Sequence, residues 1–154
     1  LGAGREVKLI SHRGNISGPN IDRENSPTYI EQAISLGFDV EMDLRVVRGK
    51  PFLGHDNPQY QVSKSFLSDL KRRSWIHCKN DEAIDYCTEN DLHYFYHDTD
   101  RYTLTSHGYI WGYPGSEPVG KSMFISVLPE LTGNIIRKDV YGVCSDYVKG
   151  YQNV

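Results

Sequence analysis

The chain has 154 residues, of which 38% are hydrophobic and 24% charged, and a formal net charge of −3. That length fits one domain able to bury roughly 70% of its unfolded surface without a stabilising cross-link. The acidic balance argues against a nonspecific nucleic-acid binder, and no apolar run reaches the ~20 residues of a membrane span, but a small phosphorylated ligand held by a few local cations remains compatible.

The start, "LGAG" (1–4), lacks the charged and apolar regions of a signal peptide and reads as disordered or a cloning remnant. "VKLIS" (7–11) reads as a buried strand and "SPTYIEQAISLG" (26–37) as a helix, with Ser26 as cap, Pro27 in the first turn and Gly37 at the stop. "FDVEMDLRVV" (38–47) is the next strand, "SKSFLSDLKRR" (63–73) a short helix and "WIHCK" (75–79) a strand. "DEAIDYCTEN" (81–90) is a helix and "LHYFYH" (92–97) a strand, so the first two thirds alternate β and α as a parallel sheet does.

The last third differs. "YTLTS" (102–106), "GYIWGY" (108–113), "MFISVL" (123–128) and "YGVCS" (141–145) all read as strands, and only "GNIIRKDV" (133–140) has room for a helical turn or two. About eight strands with a βα beginning point to a condensed (β/α)8 TIM-like barrel, its helices reduced or missing in the second half, in a chain well short of the ~250 residues usual for that fold. An open sheet of fewer strands is the alternative.

Cys78, Cys87 and Cys144 form an odd set without C-x-x-C spacing, as expected of reduced core thiols in a cytoplasmic protein. Residues 115–122, "GSEPVGKS", fit the phosphate-loop pattern G-x-x-x-x-G-K-[ST]. That motif needs a helix after the lysine. Here the chain runs into the β-branched and aromatic "MFISVL", so nucleotide binding is not expected there.

Titratable residues gather where the strands end: His12, then Glu41 and Asp43, then His77 and Lys79, then His97 and Asp98, then Glu130. In a parallel barrel that end carries the active site. Glu41 and Asp43, two apart on a strand, share a face and repel unless a positive charge lies between them. A hard divalent cation does this, and so does an ion pair from Glu41 to Arg45 on the same face. His12 and Arg13 close the first strand, and His55 and Asp56 sit in a turn-rich loop beyond the acidic pair.

With "SHRG" followed by "ENSPTYIEQAISLGFDVEMDLRVVRGKPFLGHD", the chain resembles the glycerophosphodiester phosphodiesterase family over residues 8–57. The pattern reads His12-Arg13-Gly14, Glu24-Asn25-Ser26, Glu41-Met42-Asp43 and His55-Asp56, and "YGVCSDYV" resembles the family's last strand, which runs into an aspartate. The resemblance implies a TIM barrel over residues 5–154 that cleaves phosphodiesters with one divalent cation, Mg²⁺ or Ca²⁺. It makes His12 and His55 the acid–base pair, Arg13 and Lys79 phosphate contacts, and Glu41 and Asp43 metal ligands. "WIHCKN" departs from the family's Glu-x-Lys by placing His77 where a third ligand is expected. If His77 is a ligand the preference moves towards Mn²⁺ or Zn²⁺; otherwise Glu130 or Asp98 supplies the third oxygen. The expected partner is a small phosphodiester, with hydrolysis in lipid metabolism as the setting. The alternative is a non-catalytic domain on a degraded barrel that binds a phosphate ligand.

Overall fold

In the computed structural model, which describes residues 6–133 and 139–152, β1 (Lys8–His12) lies at the middle of one ten-stranded sheet. β1 pairs in parallel with β2 (Asp39–Val47) on one side and β10 (Gly142–Ser145) on the other. Beyond β2 come β5 (Ser74–Cys78) and β6 (Tyr94–Phe95), both parallel. Beyond β10 come β9 (Phe124–Val127) and β8 (Ile110–Gly112), also parallel, and then β7 (Tyr102–Leu104), antiparallel to β8. β3 (Lys50–Leu53) folds back antiparallel on the far end of β2, and β4 (Tyr60–Gln61) on β3.

This corrects the expected condensed (β/α)8 TIM-like barrel. The sheet is a curled half-barrel of mixed strands, and among the described residues it carries three α-helices, all before residue 90: α1 (Pro27–Ser35), α2 (Lys64–Asp69) and α3 (Asp81–Glu89). The ladder is not continuous from β6 to β7. Ser106 N donates to Tyr94 O at 2.7 Å and Tyr94 N to Ser106 Oγ at 2.9 Å, a link without strand register. The physical reason lies in the connections after residue 96. Residues 96–101 and 105–109, which join β6 to β7 and β7 to β8, are too short for a helical crossover of a dozen residues or more, and 113–120 carries Pro114, Gly115, Pro118 and Gly120, which favour turns over helix. The expected disorder at residues 1–4 and the core of the expected turn at 133–140 lie outside the described residues.

Each helix starts as its sequence dictates. Ser26 Oγ accepts from Tyr29 N at 3.3 Å, Ser63 Oγ from Phe66 N at 3.0 Å and Asn80 Oδ1 from Ala83 N at 3.0 Å. Such caps contribute about 1 kcal/mol each. Asn80 also brackets Val46, accepting from its N at 3.2 Å and donating to its O at 3.0 Å, which ties the end of β2 to the start of α3.

The strand period sorts side chains into two cores. Under the helices, Val40, Met42, Leu44, Ile76 and Cys78 pack with Ile30, Ala33, Ala83 and Cys87. The concave face holds Ile10, Trp75, Phe95, Trp111, Ile125 and Cys144. Glu41, Asp43 and His77 alternate with the first group and therefore project to the concave face. On the half where the described residues form no α-helix, the chain at 113–120 lies beside the sheet, with the Tyr102 hydroxyl donating to Glu117 O at 2.8 Å. Lys121–Met123 form a 3-10 turn that leads directly into β9, so the strand–loop–helix context of a phosphate loop is not formed. Among the described residues no helix is long and apolar enough to cross a membrane.

Candidate active site

A cleft of about 400 Å³ opens where the parallel strands end, lined on one side by His12, Arg13, Glu41, His55, His77 and Lys79. β1 brings His12 into register with Glu41 of β2, and β2 brings Asp43 into register with His77 of β5. Glu41 and Asp43 are buried, at 2% and 0% exposure, beneath this floor. Burial of two neighbouring carboxylates is costly unless both are compensated.

Asp43 is compensated. Arg13 Nε lies 3.0 Å from its Oδ2, Asn25 Nδ2 donates to that oxygen at 2.9 Å, and His77 Nδ1 stands 3.3 Å from its Oδ1. Burial pushes Asp43 up, but His77, Arg13 and Asn25 outweigh it and hold the carboxyl well below the usual range. Glu41 is not. Burial and the charge of Asp43 raise it to about 7, because His12 Nε2 at 3.8 Å and His77 Nδ1 at 3.8 Å stand too far off to hydrogen bond.

One oxygen each of Glu41 and Asp43 and one ring nitrogen of His77 lie within 4.8 Å of one another. Glu41 Oε1, Asp43 Oδ1 and His77 Nε2 are all buried without an aligned hydrogen-bond partner. The His77 nitrogen that faces both carboxylates is Nδ1, and a close cluster of oxygen and nitrogen donors around a buried Glu41 with a raised pKa fits a divalent cation, since a positive charge there would stabilise the ionised carboxylate. Arg45 does not provide that charge. Its Nη2 donates to His55 O at 2.6 Å, so the Glu41–Arg45 ion pair is not made.

The two histidines are driven in opposite directions. His12 Nδ1 donates to Asp146 Oδ1 at 2.7 Å. Burial works to lower the His12 pKa, but the Asp146 hydrogen bond and the Glu41 charge raise it overall. His55 follows β3, half exposed, with Nδ1 2.8 Å from Asp56 Oδ1. Burial and the Arg13 charge lower its pKa. Near neutral pH the pair therefore leans towards a protonated His12 and a neutral His55.

Two glycines make these placements. Gly14 has φ +93, and a Cβ there would lie 2.6 Å from Tyr29 Cδ2; Gly54 has φ +152, and a Cβ would lie 2.0 Å from Asn57 O. Both conformations favour glycine. Three residues that do have side chains nevertheless hold left-handed φ at the site: Arg13 at 61°, Asn25 at 68° and Leu128 at 48°. Strain of this kind persists only where surrounding bonds impose it. Arg13 N donates to Glu41 O at 2.9 Å and Asn25 N to Arg13 O at 3.0 Å.

Six of the seven residues singled out for catalysis, phosphate or metal border one cleft, and the seventh, Asp43, is buried beside them at the Glu41–His77 group. Arg13 is already engaged, by Asp43 and by Glu24 Oε1 at 3.3 Å from its Nη1, whereas no described residue pairs with the Lys79 ammonium. Glu130 does not reach the acidic pair. It accepts from Ser145 Oγ at 2.7 Å, Asp146 N at 3.2 Å and the Tyr151 hydroxyl at 3.2 Å. Asp98 stands exposed at the rim of the cleft and is not part of the Glu41–Asp43–His77 group.

Sequence reasoning gave no role to the network behind His12. Asn15 Nδ2 donates to Asp146 Oδ1 at 2.9 Å and Glu24 Oε2 at 3.0 Å, and the Tyr29 hydroxyl donates to Asn15 Oδ1 at 3.0 Å. The available signals were a polar residue directly after the last strand and the Glu24-Asn25 pair ahead of the helix cap. His97 also borders the cleft, edge-on to His77 with ring centroids 4.7 Å apart. Fold and site together define a curled, largely parallel sheet with a charged cleft at its strand ends. No protein-family model, curated protein or solved structure matches the chain.

Proposed function

We propose that this chain is a metal-dependent phosphodiester hydrolase of the glycerophosphodiester phosphodiesterase type. The observation that carries the reading is the convergence on one cleft of His12, His55 and Lys79, which no described residue pairs, with the Glu41–Asp43–His77 group at its floor. Glu41, Asp43 and His77 would hold one divalent cation, which when bound supplies charge neutralisation at the phosphate. The mixed oxygen and nitrogen donors admit Mn²⁺ or Zn²⁺ beside Mg²⁺ and Ca²⁺.

The remaining steps belong to the chain's own side chains. Lys79 binds a phosphate oxygen as a mobile point charge. Arg13, fixed by Asp43 and Glu24, adds positive field at the cleft wall without leaving its ion pairs. Neutral His55 takes the proton from the attacking oxygen, that of water or of a substrate hydroxyl where one is present, as the new P–O bond forms. Protonated His12 gives its Nε2 proton to the departing oxygen as the old P–O bond breaks. Each transfer contributes on the order of 10²–10⁴-fold. We place the reaction in the cytoplasm, a reading supported by three free, buried cysteines.

The test is turnover of bis(p-nitrophenyl) phosphate with Mg²⁺, Ca²⁺, Mn²⁺ and Zn²⁺ in turn, for the wild type and for His12→Ala and His55→Ala. Both variants are expected to keep their thermal unfolding profile and to lose turnover by two orders of magnitude or more. Near-wild-type rates in both would overturn the acid–base assignment. Phosphate binding without turnover under any cation would replace the enzyme with a non-catalytic phosphate-binding domain, the outcome that the histidine at position 77 favours.

A further inference from the structure

We infer that the alcohol group of the substrate is apolar, an alkyl chain or an aryl ring, and that it lies against Trp111, Tyr113, Pro114, Leu128 and Leu131. The inference rests on the phosphodiesterase reading and specifies what that site accepts. The cleft has two unlike walls. One is the charged floor already described. The other comes from β8, β9 and the segments that follow them, and it consists of those five residues and Val127.

The volume, about 400 Å³, lies within the range of small-molecule sites and exceeds what a phosphate group alone fills. On the β8–β9 wall the Tyr113 hydroxyl and the Trp111 indole N–H are the polar side-chain groups among the described lining residues. A polyol or sugar would lose water from several hydroxyls there and find only those two groups to bond, which a site built for hydroxyls avoids. An apolar group loses nothing polar and gains contact with an indole, a phenol ring and two leucines.

Two further observations agree. Leu131 and Tyr113 are 68% and 55% exposed, so large apolar surface is left uncovered where the cleft opens. Leu128 is held at φ 48°, ψ 54°, a conformation that favours glycine, by Leu128 N donating to Cys144 O at 2.7 Å and Leu131 N donating to Leu128 O at 3.0 Å. Glycine would relieve that strain. The leucine supplies a side chain in the cleft wall instead.

The experiment is calorimetric binding of n-alkyl phosphates, ethyl to octyl, with glycerol 3-phosphate and inorganic phosphate as references, to the Mg²⁺-loaded protein. Affinity is expected to rise about three- to fourfold per methylene until the wall ends. Glycerol 3-phosphate is expected to bind more weakly than propyl phosphate. Leu131→Ser and Leu128→Gly should each reduce the gain per methylene; the first side chain is exposed and the second change relieves backbone strain, so both are expected to fold. A flat series on a protein that binds inorganic phosphate, unchanged slopes in both variants, or tighter binding of glycerol 3-phosphate overturns the apolar subsite alone. Failure of every phosphate to bind, together with no turnover, overturns the phosphodiesterase reading and this inference with it.

Discussion

Asp146 Oδ1 lies 2.7 Å from His12 Nδ1, and this contact decides which ring nitrogen of His12 faces the cleft. The parallel register that aligns Ser11 with Ser145 puts His12 and Asp146 side by side at the next position of each strand. With Nδ1–H committed to the carboxylate, Nε2 is turned towards Glu41 and the cleft. Asp146→Asn should therefore lower the His12 pKa, because the Asp146 hydrogen bond is the largest influence raising it. Turnover is expected to drop on the order of 10- to 100-fold, the usual cost of losing an orienting partner. Histidine NMR titration of the variant checks the first statement; an unchanged His12 midpoint would contradict it.

Glu41 predicts how stability answers to cations. Without a cation its folded pKa is raised from 4.5 to about 7 by burial and by Asp43. A raised folded pKa means that the contribution of this group is fully present below its unfolded value of 4.5. It is then lost as pH climbs through about 7. A bound cation replaces that proton. Added Mg²⁺, Ca²⁺ or Mn²⁺ should raise Tm more at pH 8 than at pH 5.5, and Glu41→Gln with Asp43→Asn should abolish the shift. Scanning calorimetry at the two pH values reads this directly, and an equal shift at both would refute it.

Gly54 couples stability to the placement of His55. A Cβ at this position would stand 2.0 Å from Asn57 O, which is backbone and has no rotamer to give way. Gly54→Ala is expected to cost about 1–3 kcal/mol in urea unfolding, in line with other forced overpacking. It should also displace His55 and reduce turnover by more than the unfolded fraction explains. A variant that folds less well but keeps its specific activity would show that His55 does not depend on this turn.

His93 gives an acid-stability prediction away from the cleft. It is buried, 2.8 Å from Thr105 Oγ1 through Nε2, and its ring stacks on His107 at 4.1 Å. Burial and then His107 lower its pKa from 6.5 to about 3. Above pH 6.5 neither folded nor unfolded chain protonates it, so it costs nothing there. Between 6.5 and about 3 only the unfolded chain takes the proton, and stability falls by up to ~1.4 kcal/mol per pH unit. Glu41 titrates with the opposite sign over the same window, so the loss is read as the difference between wild type and His93→Phe in urea unfolding, which should move in favour of the variant from pH 7 to pH 5.

The parts of the molecule legible in one sequence are those governed by local periodicity. The alternation Val40, Met42, Leu44 against Glu41, Asp43 is enough to set two faces, and the caps Ser26, Ser63 and Asn80 mark where helices begin. β3 and β4 escaped because Lys50–Leu53 carries a proline and Tyr60–Gln61 is only two residues long, too little pattern to read. The antiparallel turn of β7 onto β8 also escaped, since short strands joined by turns pair in either sense until the neighbours are known. Asn15 and Asp146, 131 residues apart, meet only because β1 and β10 lie side by side, and no local signal announces such a pair.

The uneven distribution of helices divides the labour around the cleft. His12, Glu41, Asp43, His77 and Lys79 stand on or directly after β1, β2 and β5, the strands backed by α1 and α3 or adjoining those that are. The wall of Trp111, Tyr113, Leu128 and Leu131 rests on the half where the described residues form turns, 3-10 helix and irregular chain in place of α-helices. Mutational tolerance should follow the same line. Changes at 113–120 or 128–132 can retune what enters the cleft while the reacting groups keep their scaffold, so a library confined to those two segments is a direct route to altered selectivity.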